Sequence, residues 1–574
     1  MPKPSQVTRR TFLQTGTLAL TASSTLPGRA ATPPPTSFLH LLRPPDTVIA
    51  FPAFRKTVPV DPVELHPTDS DEQWKANDVT VRTIPKNHQL TLALESPSHP
   101  VAVVHLRWKT DVPENIQILG DAWERSYGDL GWRNLIPERV LPWYCATWDG
   151  TACHTYGVQT DARALCFWQL DQEGMSLWLN VTNGGNGVRL GSRTLPMASI
   201  VTRRGNAGED PQHAVAALCR SLCARPSRPM QPIYGANDWC YSYGHSTSAS
   251  ILRDTDFIAA LSPQQGPRPF SVIDGGWTDA TPDWPSMADL ARQIKQRNTR
   301  PGIWVRPLEA PAKTAPDLLL PAARFGQQQS RAAELAFDPT HPEAQQAVRE
   351  KFRTLAQWGY EMVKHDFSTY DLLGQWGFEM GPQPTLPGWA LHDPSLTNAE
   401  VIAQLYALIR SAVGPEVLLD GCNTVGHLGQ GLFDLQRTGD DTSGHQWERT
   451  RRMGLNTLAF RLPQHGAFFI LDADLVGITS LVPWEQNRQY LDLLSRTGTT
   501  TLVSIAPDQR GPEQQAALRE AFQIAASGGT ALQPTDWLDT SLPEHWRSLK
   551  GKSGSADTRY HWNTPTGSSP FLSP

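Results

Sequence analysis

The sequence predicts a multidomain chain of mixed α and β structure: an N-terminal antiparallel β-sandwich followed by a (β/α)8 TIM barrel. Three observations predict it. The chain has 574 residues, too many for one ordinary domain. Between residues 46 and 210, short runs that alternate apolar and polar residues recur, broken by Gly, Asn, Asp and Pro. After residue 231 the pattern changes to eight short apolar runs separated by amphipathic helical segments, the alternation that builds a parallel barrel.

The N-terminus, "TRRTFLQTGTLALTASSTLPGRAAT", carries paired arginines, a weakly apolar run and small residues near 28–31. It resembles a bacterial twin-arginine export signal, so residues 1–31 are expected to be a signal peptide and the mature chain periplasmic or secreted. Loss of residues 1–30 removes Lys3, Arg9, Arg10 and Arg29 and no acid, taking the net charge from −5 to −9. Residues 32–45 are Pro-rich and read as a linker. No basic run suggests nucleic acid as a partner. No stretch of about 20 apolar residues suggests a membrane span.

The expected β-domain covers 46–225. Its strands include "DVTVRTI", "QLTLAL", "VAVVHLRW", "ALCFWQL" and "MSLWLNV", separated by turn residues as in a sandwich. "PQHAVAALCRSLCA" then reads as a helix. Seven scattered cysteines form no dense disulfide framework; Cys145 is in reach of pairing with Cys153 or Cys166, and Cys219 with Cys223 read as buried thiols.

The expected barrel covers 231–530. Its strand candidates are "PIYGANDW", "FSVIDGGW", "RPGIWVRP", "YEMVKHDF", "EVLLDGC", "LFDLQRTGDD", "AFFILDAD" and "TTLVSIAP". Helical segments lie between them. In "PEAQQAVREKFRTLAQW", Ala344, Ala347, Val348, Phe352 and Leu355 form one apolar stripe, and Pro342 suits a first helical turn. An open doubly wound sheet is the competing topology, but no Gly-rich phosphate loop follows the first strand. Residues 531–574 are polar and rich in Pro, Gly and Ser, a C-terminal extension.

Acids recur at the strand ends, where barrels carry their catalytic groups: Asp238, Asp274, Asp366, Asp420, Asp440 with Asp441, and Asp472 with Asp474. One such acid is readily a helix N-cap. Acids at six of eight ends, facing one cleft, suit a metal site or a polyhydroxyl ligand handled by two carboxyl groups. The metal reading lacks converging ligands: His365 adjoins Asp366 and so points to the opposite face of its strand, and no H-x-H or H-E-x-x-H spacing occurs. The glycoside reading needs two carboxyl groups flanking the scissile bond. Asp366 on strand 4 and Asp440 after strand 6 satisfy it, with Lys364 on the same face as Asp366, where its ammonium favours the ionised carboxylate. Neither a metal nor a cofactor is required.

Across 231–530 the chain resembles the α-galactosidase clan, glycoside hydrolase families 27 and 36, and its N-terminal β-domain makes it more similar to family 36. "VIDGGW" is similar to the strand 2 pattern IDDxW, "VKHDF" to the K-x-D nucleophile strand, and "LLDGCNTVG" to the EGCSSGG turn. "LQRTGDDTS" resembles the turn that carries the acid/base, "LDADLVGI" resembles NDPDMLVIG, and "PWEQNRQYLDLLSRTGTTTLVSIAP" resembles the last helix and closing strand.

The resemblance implies a retaining exo-glycosidase that hydrolyses a terminal α-galactoside or related α-glycoside by double displacement. It implies Asp366 as nucleophile and Asp440 as acid/base, with Asp441 as the alternative; Asp440 is preferred because it directly follows Gly439. It implies Asp274 and Lys364 as hydroxyl-binding groups, Cys422, Asn423 and Arg437 near the 2-position, and Asp474 beside them. Trp239, Trp277 and Trp304 are candidates for an apolar floor. Two departures bear on the substrate. Gly275 stands where strand 2 of the family has a second acid, and Arg306 stands at the end of strand 3, where it would meet a substrate carboxylate or a neighbouring acid. The sugar is therefore open among galactose, N-acetylgalactosamine, arabinopyranose and glucose. A sugar-binding barrel without catalysis and a transglycosylase are the other readings. The expected partner is an oligosaccharide or glycoconjugate substrate.

Overall fold

The computed structural model describes residues 38–567, apart from 71, 230, 279–285, 329–330, 332, 550–556 and 565–566. The expected signal peptide and residues 32–37 of the linker lie outside the described residues.

The β-domain is a run of fourteen strands in one continuous antiparallel hydrogen-bonded order. Its two leaves join where Val63–Pro67 pairs with Gln73–Ala76. Strands of alternating burial, such as Val103–Lys109, place every second residue in the core. At Trp143 the chain crosses from one leaf to the other: Leu141–Pro142 pairs with Phe167 and Trp168, while Tyr144–Trp148 pairs with Cys153–Val158. Trp143 takes φ 66° to make the step. Its carbonyl accepts from Trp168 Nε1 at 3.2 Å, which ties the leaves together. All seven cysteines are free thiols, so Cys145 pairs with neither Cys153 nor Cys166. Helix Pro211–Leu222 buries Ala214, Val215, Leu218, Cys219 and Leu222 and leads towards the barrel.

The barrel has eight parallel strands: β1 (Tyr234–Asn237), β2 (Phe270–Ile273), β3 (Arg300–Val305), β4 (Met362–His365), β5 (Leu418–Gly421), β6 (Leu435–Arg437), β7 in two pieces (Ile470–Asp472 and Leu475–Ile478) and β8 (Thr501–Ile505). Each pairs with the next, β8 pairs with β1, and the second piece of β7 pairs with β8, so the ring closes. The break in β7 falls at Ala473–Asp474, where Asp474 takes φ 64°.

The surrounding helices follow the apolar stripes. Helix Pro342–Gln357 buries Ala344, Val348, Phe352 and Leu355. Helix Asn398–Val413 begins in a Thr397/Glu400 capping box, which satisfies two otherwise orphaned backbone donors. The C-terminal extension adds a three-stranded antiparallel sheet from Leu532 to Arg559, and Trp562 anchors its end by accepting from Trp447 Nε1 at 2.9 Å.

Candidate active site

Strand β4 sets the centre of the site. Its parallel register aligns Trp304 with Lys364 and Lys364 with Asp420, so these three side chains share one face of the sheet. His365 points the other way, into the helix layer among Phe352, Tyr406 and Phe433, with ring centroids 5.5 to 6.2 Å away. Neither of its nitrogens has a hydrogen-bond partner, and burial pushes the imidazole down to about 3, so it stays neutral. Asp366 follows at the mouth. Its Oδ2 accepts from Trp304 Nε1 at 3.0 Å, and its Oδ1 accepts from the backbone N–H of Phe367 at 2.8 Å and of Asn423 at 3.0 Å. Phe367 takes φ 64°, a left-handed conformation that is uncommon for a bulky residue. Burial opposes charge on Asp366. The cations of Arg125 and Lys364 outweigh it and hold the carboxyl below its ordinary value.

Lys364 pairs with Asp274 at 2.8 Å, both side chains almost fully buried. Asp274 Oδ2 also accepts from Asn237 Nδ2 at 2.6 Å, and its backbone N–H donates to Asp238 Oδ1 at 2.8 Å. Asp238 is thereby a brace for the end of β2, its other oxygen taken by Ser242 and Ser246. Asp420 and Asp472 lie deeper in the barrel; burial and the neighbouring Asp472 push Asp420 well above the usual carboxylate range.

The turn after β6 separates its two acids. Asp440 is gripped by Arg125 at 2.7 Å and Arg449 at 2.7 Å, one guanidinium on each oxygen. Asp441 is the more exposed of the two, at 34% of its side chain. It lines a cavity of ≈ 320 Å³ with Trp239, Tyr243, Ser443, His445 and Arg449. It pairs with Arg437 at 3.1 Å and sits 3.7 Å from Arg125. Burial opposes its charge, but Arg437, Arg125 and Lys364 hold it well below the usual carboxylate range. Its charge is also felt at Asp366. Asp440 thus has both oxygens in ion pairs, and Asp441, the alternative, is the one of the two that lines the cavity.

Five other expected site residues have partners within the protein. Arg437 is fully buried and bridges Asp441 to Asp474 at 3.1 Å each, and Asp474 also accepts from the Thr442 backbone N–H. Asn423 has its side chain engaged at both ends, Oδ1 by the Tyr370 N–H and Nδ2 by Glu124, so it serves Asp366 through its main chain. Cys422 is fully buried and its sulfur receives Arg125 and Arg437, each at 3.3 Å. Arg306 meets neighbouring acids, Asp371 at 2.5 Å and Glu334 at 2.6 Å, through Nε and Nη2.

The aromatic residues divide similarly. Trp239 lines the cavity, Trp304 bonds Asp366, and Trp277 donates to the Trp304 carbonyl at 2.9 Å, a support behind the wall. A Cβ built on Gly275 would stand 3.6 Å from Trp239 and 3.9 Å from Trp304, ordinary contact distances. The missing side chain therefore leaves a slot between two indoles.

Sequence reasoning missed the β-domain's share of the site. Arg125, 6% exposed, stands between Asp440, Asp441 and Cys422 and lies over the rings of Trp376 and Tyr127. Glu124 accepts from Tyr127 Oη at 2.5 Å and the Gly377 N–H at 2.8 Å, as well as from Asn423. The only hint in the sequence is a charged pair inside "DAWERSYGDLGW", which breaks the strand alternation. Larger clefts exist, such as one of ≈ 550 Å³ lined by Asn134, Asp171 and Glu173, but no comparable set of groups converges there. Among the described residues no three His, Cys, Asp or Glu side chains are arranged to hold a metal, and no helix is long and apolar enough to cross a membrane.

No family model and no curated protein sequence matches the chain. Solved structures do. An α-galactosidase from Thermus thermophilus, in complex with p-nitrophenyl α-D-galactopyranoside, superposes with TM-score 0.55 at 19% identity over 84% of this chain and 97% of that one. A GH36 α-galactosidase from Geobacillus stearothermophilus, in complex with raffinose, gives 0.54 at 13% identity over 82% of this chain and 71% of that one. The galactosidase domain of an α-galactosidase–sucrose kinase gives 0.53 at 14% identity over 88% of this chain and 75% of that one. The fold is that of the α-galactosidase clan, a β-domain followed by a TIM-like barrel.

Proposed function

We propose that this chain is a retaining exo-glycosidase acting on a terminal α-galactoside or a related α-glycoside. The observation that carries the reading is the setting of Asp366. It is a buried, ionised carboxylate at a barrel strand end, fixed by three hydrogen bonds and flanked by cations, and it feels the charge of a second carboxylate, Asp441. That is the equipment a double displacement needs. An oxygen of Asp366 attacks the anomeric carbon while the bond to the leaving oxygen breaks and Asp441 donates its proton to that oxygen. Asp441 then takes a proton from water, the water oxygen bonds the anomeric carbon, and the Asp366 ester bond breaks. Asp441 must be protonated for the first step. The pull of Arg437, Arg125 and Lys364 opposes this, and repulsion between its charge and that of Asp366 is the force that favours it. Lys364 and Asp274 form a buried pair two residues inward of Asp366, and their polar atoms are the ones assigned to sugar hydroxyls.

The bound sugars in the similar structures support the substrate class, and the Gly275 slot bears on which sugar it is. Export rests on the leader-like residues 1–31 and is checked by the compartment in which the chain fractionates. The test of the reading is Asp366→Asn on a panel of chromogenic α- and β-glycosides. The wild type is expected to cleave an α-glycoside and the variant to lose at least about a thousandfold in kcat with folding intact, since the nucleophile forms the intermediate. Wild-type turnover by Asp366→Asn would sink the assignment.

A further inference from the structure

The β-domain segment from Asp121 to Leu130 is built against the turn that carries Asp440 and Asp441. Ser126 donates its N–H to the Thr438 carbonyl at 2.9 Å, and Asp440 donates its N–H to the Ser126 carbonyl at 3.0 Å, a two-bond parallel bridge across Gly439. Gly439 has no room for a side chain, since a Cβ would lie 2.0 Å from the Met453 carbonyl. Arg461 holds the same junction from behind: it pairs with Asp121 at 2.8 Å and donates to the Thr438 carbonyl at 3.0 Å and to the Glu124 carbonyl. Asn456 fixes Leu130 through both its N–H and its C=O. It ends the π-helical stretch Thr450–Asn456, a departure from α-geometry of a kind frequent at functional sites. Into this frame the β-domain inserts Arg125. Its guanidinium binds Asp440 at 2.7 Å, reaches Cys422 at 3.3 Å and stops 3.7 Å from Asp441.

We infer that Arg125 is a positioning residue for the proton donor: by anchoring Asp440 it orients the turn so that Asp441, the next residue, faces the cavity. The inference rests on the proposed glycosidase reading and assigns the β-domain a part in the active site. Asp440 and Asp441 are adjacent, so clamping one carboxylate restricts the backbone and aims the other. Arg449 holds the second oxygen of Asp440 from the barrel side, at 2.7 Å. The clamp is thus completed only when the β-domain is in place.

The test compares kcat/KM on two glycosides of the sugar that the wild type cleaves, one with a 2,4-dinitrophenyl and one with an alkyl leaving group. Both are read at a pH above the acidic limb of every variant, so that Asp366 is ionised throughout. A dinitrophenolate leaves without a proton, whereas an alkoxide needs one. Arg125→Met should lower kcat/KM for the alkyl glycoside by on the order of a hundredfold, the scale of general-acid assistance, and for the dinitrophenyl glycoside by less than about threefold. Asp440→Asn should show the same split, and Arg125→Lys should restore part of the alkyl activity. The double variant Arg125→Met/Asp440→Asn should be no worse than Arg125→Met alone, because the two act as one unit. Equal losses on both glycosides, or no loss on either, overturn the inference. Should Arg125→Met fail to fold, Arg125→Gln carries the same comparison; the split in Asp440→Asn alone would also follow if Asp440 gave the proton, so Asp441→Asn must lose the alkyl activity at least as far, and its retention overturns the inference. Failure of the glycosidase reading shows separately, as undiminished turnover by Asp366→Asn.

Discussion

Replacing Lys364 by Met tests how the barrel interior holds its charges. The ammonium lies 2.8 Å from Asp274 Oδ2, with side-chain exposures of 8% and 4%. The substitution keeps the apolar stem and removes the charge. Asp274 would retain Asn237 Nδ2 at 2.6 Å and the Gly275 N–H at 2.8 Å but no cation bonded to it. Stranding one partner of a buried pair costs about 3–5 kcal/mol. Unfolding entropy of about 2.1 cal/mol/K per residue gives roughly 1 kcal/mol/K for a chain of this size, so the thermal midpoint should fall by about 3–5 °C. Adding Asp274→Asn should recover a large part of that loss, because the unpaired charge is then gone. Activity adds a second reading. Burial raises Asp366, and Arg125 and Lys364 lower it against the opposing charge of Asp441. Without Lys364 the carboxyl titrates at higher pH. Turnover needs it ionised, so the acidic limb of kcat/KM should move upward. Differential scanning fluorimetry and a pH–rate profile measure the two effects. A midpoint within 1 °C of wild type, with an unmoved acidic limb, refutes the account of this pair.

Two further substitutions probe neighbouring features. Burial pushes Glu124 up to about 7 from an ordinary 4.5, against the pull of Arg125. Between those pH values the unfolded chain ionises and the folded chain stays protonated, so stability falls as pH rises from 4.5 to 7, by on the order of 3 kcal/mol. Thermal midpoints of Glu124→Gln against pH should lack this component, and parallel curves for wild type and variant would show that Glu124 is not its source. Gly275→Ala meets no atom closer than 3.6 Å, so it should fold at least as stably as wild type, by up to about 1 kcal/mol. If the sugar occupies the slot between Trp239 and Trp304, KM should rise severalfold; unchanged KM and kcat would mean that the slot is empty during turnover.

The architecture was legible because its signals are local. Strand alternation and helical stripes follow from backbone periods of 2 and 3.6 residues. They marked all eight barrel strands and placed the helix that begins at Pro342 within one residue of its observed end. The same alternation put Lys364 and Asp366 on the cavity side and His365 in the helix layer. The pairings were not legible. Arg306 faces Asp371, 65 residues on, and Asn423 faces Glu124, 299 residues away. Asp474 reads as one more strand-end acid until its left-handed backbone and its Arg437 partner are seen.

The sequence by itself determined that a β-domain precedes a barrel and that carboxylates gather at one end of it, since each strand reports its own inward face. Only the tertiary structure decided which carboxylate has both oxygens in ion pairs and which lines a cavity. A buried charge must find a partner, and which cation reaches which acid depends on how distant segments pack. Arg125 comes 315 residues before Asp440, from the β-domain, and pairs with that acid, while Asp441 lines the cavity.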